Sequence, residues 1–142
     1  MARGRDAAKS SALASIPLFA DLSKKELQFL ASMTTDVSVK DGATLVKQGE
    51  PGKEAMVIES GTAVVRRDGI DIDTMGPGAF FGEMSLVDNM PRNADVVATS
   101  DMDLLVMNSR EFSSVLSEHP QVAVKILKTV VARLVKAQGS TV

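Results

Sequence analysis

Short β-branched runs broken by glycine dominate the middle of the chain. Eight of the ten glycines (Gly42, Gly49, Gly52, Gly61, Gly69, Gly76, Gly78 and Gly82) lie in one central stretch, and this punctuation predicts a compact antiparallel β-structure. The predicted strands are 36–40, 44–47, 55–60, 62–67, 70–75, 93–99 and 102–107. Two-residue alternation, as in Val37/Val39, Ile70/Ile72 and Leu104/Val106, turns one face of each strand toward a shared interior.

Helical periodicity takes over on either side of this stretch. Ser23 and Glu26 have capping-box spacing, and Leu22 and Leu27 stand where a hydrophobic staple would close on the same helix start, so a helix is predicted over 24–33. Asn108 and Glu111 repeat the spacing, with Met107 and Phe112 as the staple pair, and a short helix should run toward Glu118. Pro120 suits the first turn of a last helix that continues to about Gln138, where Gly139 is a natural stop. That helix carries Val124, Leu127, Val131 and Leu134 at three- and four-residue intervals, broadened by Ile126, Val130 and Val135. Packing on the chain's own barrel accounts for part of this stripe, and its breadth leaves room for a helix-to-helix homodimer seam.

Composition narrows the function classes. With 142 residues and 44% hydrophobic content the chain fits one ordinary domain with a sizeable core. The net charge is -2 and Lys and Arg are scattered, so the basic stripe of a DNA-binding protein is missing and no DNA partner is expected. The absence of cysteine excludes disulfides, thiolate metal sites and a cysteine nucleophile. Arg3, Arg5 and Lys9 precede a mildly apolar run from 12 to 20, but its serines, Pro17 and its shortness do not fit a secretory signal, and no run reaches the length of a membrane span. A cytoplasmic protein with no membrane partner is expected, with residues 1–15 as a flexible amino-terminal segment and 16–142 as the domain.

Several familiar catalytic arrangements fail on inspection. His119 is the only histidine, so a Ser/His/Asp triad has no context and His119 reads as part of a helix start. The metal-binding barrels of the cupin type would need several histidines. Asp71/Asp73 and Asp101/Asp103 each fall on one strand face and read as solvated pairs, and Arg66-Arg67 reads as an exposed pair near a turn. No acid, base and nucleophile assemble, and the histidine-rich metal site that phosphodiester hydrolysis usually uses is lacking. The chain is therefore expected to be no enzyme and to need no cofactor.

The segment with chemistry to offer runs from Pro77 to Val96, between two predicted strands. Gly82 opens a short helical turn and Arg92 follows ten residues on. Unpaired backbone N–H groups at a helix start are donors to an anion, and a glycine there admits a ligand without a side chain in the way. Arg92 adds a planar, permanently charged fork matched to phosphate oxygens. Glu83 would repel a bare phosphate, yet a carboxylate can accept hydrogen bonds from sugar hydroxyls. Together the donor set describes a ribose phosphate.

Gly82-Glu83-Met84-Ser85-Leu86 after Phe81, followed by Pro91-Arg92-Asn93-Ala94 and a strand, resembles the phosphate-binding cassette of the cyclic-nucleotide-binding domain family. That family includes regulatory subunits of cAMP-dependent kinase, catabolite-activator transcription factors and nucleotide-gated channels. The resemblance extends to Pro17-Leu18-Phe19, Leu22-Ser23 with Glu26-Leu27, Gln48-Gly49-Glu50 with Pro51-Gly52, and Ile58 to Gly61. It implies a mainly β fold with flanking helices, an antiparallel β-roll or jelly-roll barrel with an amino-terminal helix, a short phosphate-binding helix and two carboxy-terminal helices.

The resemblance also implies roles for individual residues. Glu83 would hold the ribose 2'-hydroxyl and Arg92 the cyclic phosphate. Gly82, Ser85 and Ala94 would act through backbone groups, Met84 would line the pocket, and Phe81 would border the ligand. Asn93 stands where small or hydroxyl residues are common, so its amide is offered to phosphate or base edge, and Asp95 replaces the more familiar threonine or serine. Ala137 and Gln138 replace the hydroxyl pair of catabolite activators, leaving Leu134, Val135 or Gln138 to cover the base. The function implied is a regulatory or sensor module for a cyclic nucleotide, cAMP ahead of cGMP, with no output domain of its own in this chain and an unidentified downstream protein. The alternative is a ligand-independent dimerisation or interaction protein on the same fold.

Overall fold

The computed structural model describes residues 2–82 and 91–138. The chain divides into a helical unit, residues 1–32 and 114–142, and a β unit, residues 33–113. The β unit contains β1 (Thr35–Val39), β2 (Thr44–Val46), β3 (Glu54–Ser60), β4 (Ala63–Arg67), β5 (Ile70–Met75), β6 (Phe80–Phe81), β7 (Asp95–Ala98) and β8 (Met102–Asn108). Among the described residues these strands form two four-stranded antiparallel sheets, ordered β1-β8-β3-β6 and β2-β7-β4-β5. This is the expected mainly β, antiparallel β-roll with flanking helices, except that its two sheets do not close into a barrel.

The shared interior is assembled from both sheets. Met56, Ile58, Phe81, Met102, Leu104 and Val106 come from the first and Ala63, Val96 and Ala98 from the second, and all nine belong to one buried cluster. Residues of one strand parity fill this interior, as alternation requires. The central strands β3 and β8 go further, because Ala55, Val57, Leu105 and Met107 of the opposite parity are buried as well. A continuous apolar run such as Leu104-Leu105-Val106-Met107 is what a strand covered on both faces needs.

Alternation misleads at β5. Ile70 and Ile72, which the pattern turned inward, are 66% and 48% exposed. The cause is topological: β5 is the last strand of its sheet and pairs with β4. Its hairpin partner supplies hydrogen bonds without supplying a second layer to bury against.

The helical unit contains α1 (Ala2–Ala14), a 3-10 turn at Pro17–Phe19, α2 (Lys24–Ser32) and α4 (Pro120–Gln138), while α3 (Ser109–Glu118) joins β8 to α4 along the chain. The capping box of α2 forms reciprocally, the Glu26 N–H donating to Ser23 Oγ at 3.2 Å and the Ser23 N–H to Glu26 Oε1 at 2.8 Å. Asn108 Oδ1 accepts from the Glu111 N–H at 2.8 Å and so caps α3. Helix α1 lies in the segment 1–15 that was expected to be flexible, and Leu13 near its end is fully buried. On α4, Val122 is buried, whereas Val124, Leu127, Val130, Val131, Leu134 and Val135 are exposed. No helix among the described residues is long and apolar enough to cross a membrane.

Candidate functional site

The segment singled out from sequence is anchored at its start by β6. Phe80 and Phe81 pair with Val57 and Met56 of β3, and the Phe81 side chain lies in the buried cluster. Phe81 therefore holds the chain that leads into the site. Gly82 follows with φ +80°, a backbone conformation open to glycine and costly for other residues. The expected reason for glycine was room for a ligand. The structure places protein in that room: a Cβ at Gly82 would sit 2.6 Å from Arg92 Nη1 and 2.7 Å from the Glu54 carbonyl oxygen.

Glu83, Met84 and Ser85, together with the short helix expected after Gly82, lie outside the described residues. Description resumes at Pro91, which forms an isolated antiparallel bridge with Pro51. The Arg92 N–H donates to the Glu50 carbonyl at 2.8 Å, and the Arg92 carbonyl accepts from the Gly49 N–H at 2.8 Å. Its guanidinium turns back, Nη2 donating to the Glu54 carbonyl at 2.8 Å. Gly82 and Arg92, ten residues apart in sequence, thus meet at the first residue of β3.

The remaining expected site residues take different positions. Asn93 is exposed, with its carbonyl accepting from Arg67 Nε at 3.0 Å. Ala94 is buried. The predicted strand 93–99 begins only at Asp95, because main-chain bonds at residue 92 go to the 49–50 turn and the chain must bend at 93–94 before joining β4. Asp95 Oδ1 accepts from the Gln48 N–H at 2.6 Å.

Three contributors escaped the sequence reading. The Glu54 carbonyl cannot be seen in a sequence at all. Gln48 belonged to a quoted motif, but its bond to Asp95 spans 47 positions. Its side chain also exchanges two hydrogen bonds with Asp68, Nε2 to Oδ1 and Oε1 from the N–H, each at 2.9 Å. The Arg66-Arg67 pair, expected to be exposed near a turn, also takes a polar partner, since Arg66 Nε meets Asp71 Oδ1 at 2.7 Å. That hydrogen bond, then the Asp71 charge and more weakly the Asp95 charge, push the Arg66 pKa up.

Another region also gathers polar groups. A cavity of about 710 Å³ in the helical unit is lined by Ser23, Glu26, Phe29, His119 and Lys125, among others. Two of its charged groups pair with each other, Lys125 Nζ lying 2.6 Å from Glu26 Oε1, and the His119 ring packs edge-on against Phe29 at a centroid distance of 4.3 Å. The cluster around Arg92 is the better candidate, because it presents a guanidinium beside a glycine turn.

A family model described as the cyclic nucleotide-binding domain matches residues 36–119, more than half of the chain. A cyclic nucleotide-gated potassium channel of Mesorhizobium japonicum is 34% identical over 122 residues, covering 85% of this chain and 34% of the channel. The chain spans about a third of the length of the curated channels it matches. Among solved structures, the N-terminal domain of a transcriptional regulator from Streptomyces coelicolor A3(2) superposes with a TM-score of 0.84 at 31% identity, over 90% of this chain and 93% of that one. The regulatory domain of Toxoplasma gondii PKA, solved with cAMP, superposes with a TM-score of 0.73 at 26% identity, over 79% of this chain and 44% of that one.

Proposed function

Since this chain belongs to the cyclic nucleotide-binding domain family, we propose that it is a non-catalytic regulatory module whose ligand is cAMP and whose phosphate-binding group is Arg92. The observation that carries the reading is the meeting of Arg92 with Gly82 against the Glu54 carbonyl. A guanidinium held by a carbonyl on one side has a fixed plane, and a fixed plane is what pairing with two oxygens of a phosphate requires. Glu83 would take the ribose hydroxyl, with Gly82, Met84, Ser85, Asn93 and Ala94 around it. The choice of cAMP over cGMP is supported by the similarity to a PKA regulatory domain solved with cAMP. Ligand binding becomes a signal only through differential affinity for two arrangements of the chain, so an unidentified downstream partner would read that difference.

Calorimetry with cAMP and cGMP side by side tests this reading. Binding of cAMP in preference to cGMP is expected. Arg92→Ala should cost about 2–5 kcal/mol, the range for truncating one partner of a buried charge pair, or tens to thousands of fold in affinity. A variant that binds cAMP within about threefold of wild type would contradict the assignment.

The exposed apolar residues of α4 favour a second reading, a homodimer that forms through this helix regardless of nucleotide. Sedimentation with and without cAMP separates the two. Association indifferent to cAMP, in a chain that shows no calorimetric binding, would favour the second.

A further inference from the structure

Resting on the reading of Arg92 as the phosphate-binding group, we propose that Gln48 and Asp95 are positioning residues that set the place and plane of the Arg92 guanidinium. Neither needs to touch the nucleotide. They act on Arg92 through the 47–52 turn, to which its main chain is bonded on both sides.

Because the Arg92 N–H and carbonyl engage Glu50 and Gly49, any shift of that turn carries the Arg92 Cα with it. The turn is tied in two directions by Gln48. Its N–H binds Asp95 Oδ1 at 2.6 Å, three residues beyond Arg92. Its side-chain amide holds Asp68 by two bonds, at the tip of the β4–β5 hairpin. Asp68 has φ +54°, a left-handed conformation that few residues other than glycine adopt without local support. The loop of contacts closes through Arg67, next to Asp68, whose Nε donates to the Asn93 carbonyl at 3.0 Å. Residues 48–50, 67–68 and 92–95 therefore form one bonded ring around the base of Arg92.

The ring lies apart from the nine-residue cluster that fills the β unit. Gln48 and Asp95 are half-buried and Asp68 is exposed, so cutting the ring leaves the hydrophobic interior in place. What it changes is how tightly the guanidinium is aimed, and a binding group that is present but slack loses much of its value. A carboxylate at position 95 is also the wrong charge to place near a phosphate for its own sake. Its engagement with the Gln48 N–H gives it a different task.

The test is a set of cAMP affinities, measured by calorimetry on the full chain, with urea unfolding run alongside. Asp95→Ala and Gln48→Ala should each weaken binding about tenfold, the worth of one hydrogen bond to a charged group. Asp95→Asn keeps an acceptor oxygen and should stay within about threefold of wild type. In an Arg92→Ala background, Asp95→Ala should add no further loss, because coupled residues fail to add. Should Asp95→Ala not fold, Gln48→Ala still cuts the ring at its Asp68 tie, while leaving every main-chain bond of the turn, the one to Asp95 included, in place.

A readout without ligand completes the set. The Arg92 Nε–H NMR signal should move in Asp95→Ala and hold still in Asp95→Asn. Unchanged or tightened binding in Asp95→Ala, or an equal loss with and without Arg92, overturns the positioning role while leaving the site reading intact. Wild-type affinity in Arg92→Ala alone overturns the site reading, and this inference with it.

Discussion

Arg92 in the β unit and Lys125 in the helical unit are both basic groups set among polar partners, and the bonds described for them differ in kind. Arg92 is fixed by main-chain bonds at its own peptide and by a main-chain carbonyl at its guanidinium. Lys125 is held side chain to side chain, by a carboxylate that is 9% exposed while Lys125 itself is 37% exposed. Main-chain partners cannot rotate away or change protonation. Side-chain partners can do both, so a group meant to meet one ligand geometry is best built as Arg92 is, and a tie meant to respond to conditions is best built as Lys125 is.

The largest expected effect sharpens the β side of that contrast. Ile58 is fully buried in the shared interior, and Ile58→Ala should cost about 2–5 kcal/mol in urea unfolding. The loss should lower stability in apo and ligand-bound protein alike, since the residue supports the sheets rather than the site. A variant as stable as wild type would mean that the nine-residue cluster is not the core.

Gly82→Val comes next. A left-handed conformation costs a β-branched residue about 1–3 kcal/mol, and here the Cβ would also press on Arg92 and the Glu54 carbonyl. Gly69 supplies the control, having φ +79° with nothing within 4 Å of an added Cβ. Gly69→Val should show the backbone cost alone, and Gly82→Val that cost plus a fall in cAMP affinity. Equal behaviour of the two variants would break the claim that Gly82 is there to admit Arg92.

The helical side is probed by Lys125→Ala, which strands the mostly buried Glu26 carboxylate. About 1–2 kcal/mol of destabilisation is expected, less than for a fully enclosed pair because Lys125 is partly solvated. The same pair makes a pH prediction. The hydrogen bond from Lys125, followed by that from the Ser23 N–H, holds the Glu26 carboxyl below its ordinary value of 4.5. A depressed value in the folded state means the contribution is complete above the ordinary value and is lost as the pH falls through the depressed one. Glu26→Gln should therefore shrink the loss of stability on acidification. Asp101, lowered by the Asp41 N–H and then by Lys40, should keep a part of it. An acid limb identical to that of wild type would remove Glu26 from the account.

The smallest effect is expected at Leu127, which is 61% exposed on α4. Leu127→Glu should change monomer stability by no more than about 0.5 kcal/mol. If the α4 face joins two copies, the same substitution should shift the sedimentation coefficient toward the monomer.

How much of this was legible in advance depended on the range of the interaction. The Ser23/Glu26 box and the Asn108 cap act over three residues, and both form as their spacing indicated. At 104–107 the alternation of Leu104 and Val106 indicated one inward face, whereas Leu105 and Met107 on the other face are buried as well. Ile70 and Ile72 had the right alternation and the wrong outcome, because alternation says which side chains share a face and nothing about whether that face is covered. The segment of helix α1 was expected to be flexible, since Arg3, Arg5 and Lys9 among alanines and serines give little periodicity beyond Leu13. At the site, residue types at 82 and 92 indicated the chemistry, whereas their supports are a carbonyl at 54 and an amide at 48, whose roles emerge only when distant turns meet.

The central claim is that cAMP is met by Arg92 beside Gly82. An NMR titration of the full chain reads it most directly, through the Gly82 amide and the Arg92 Nε–H. Saturating cAMP is expected to shift both signals, while those of Lys125 and Glu26 move less. Shifts confined to the helical unit, or none at residues 82 and 92, would contradict the account.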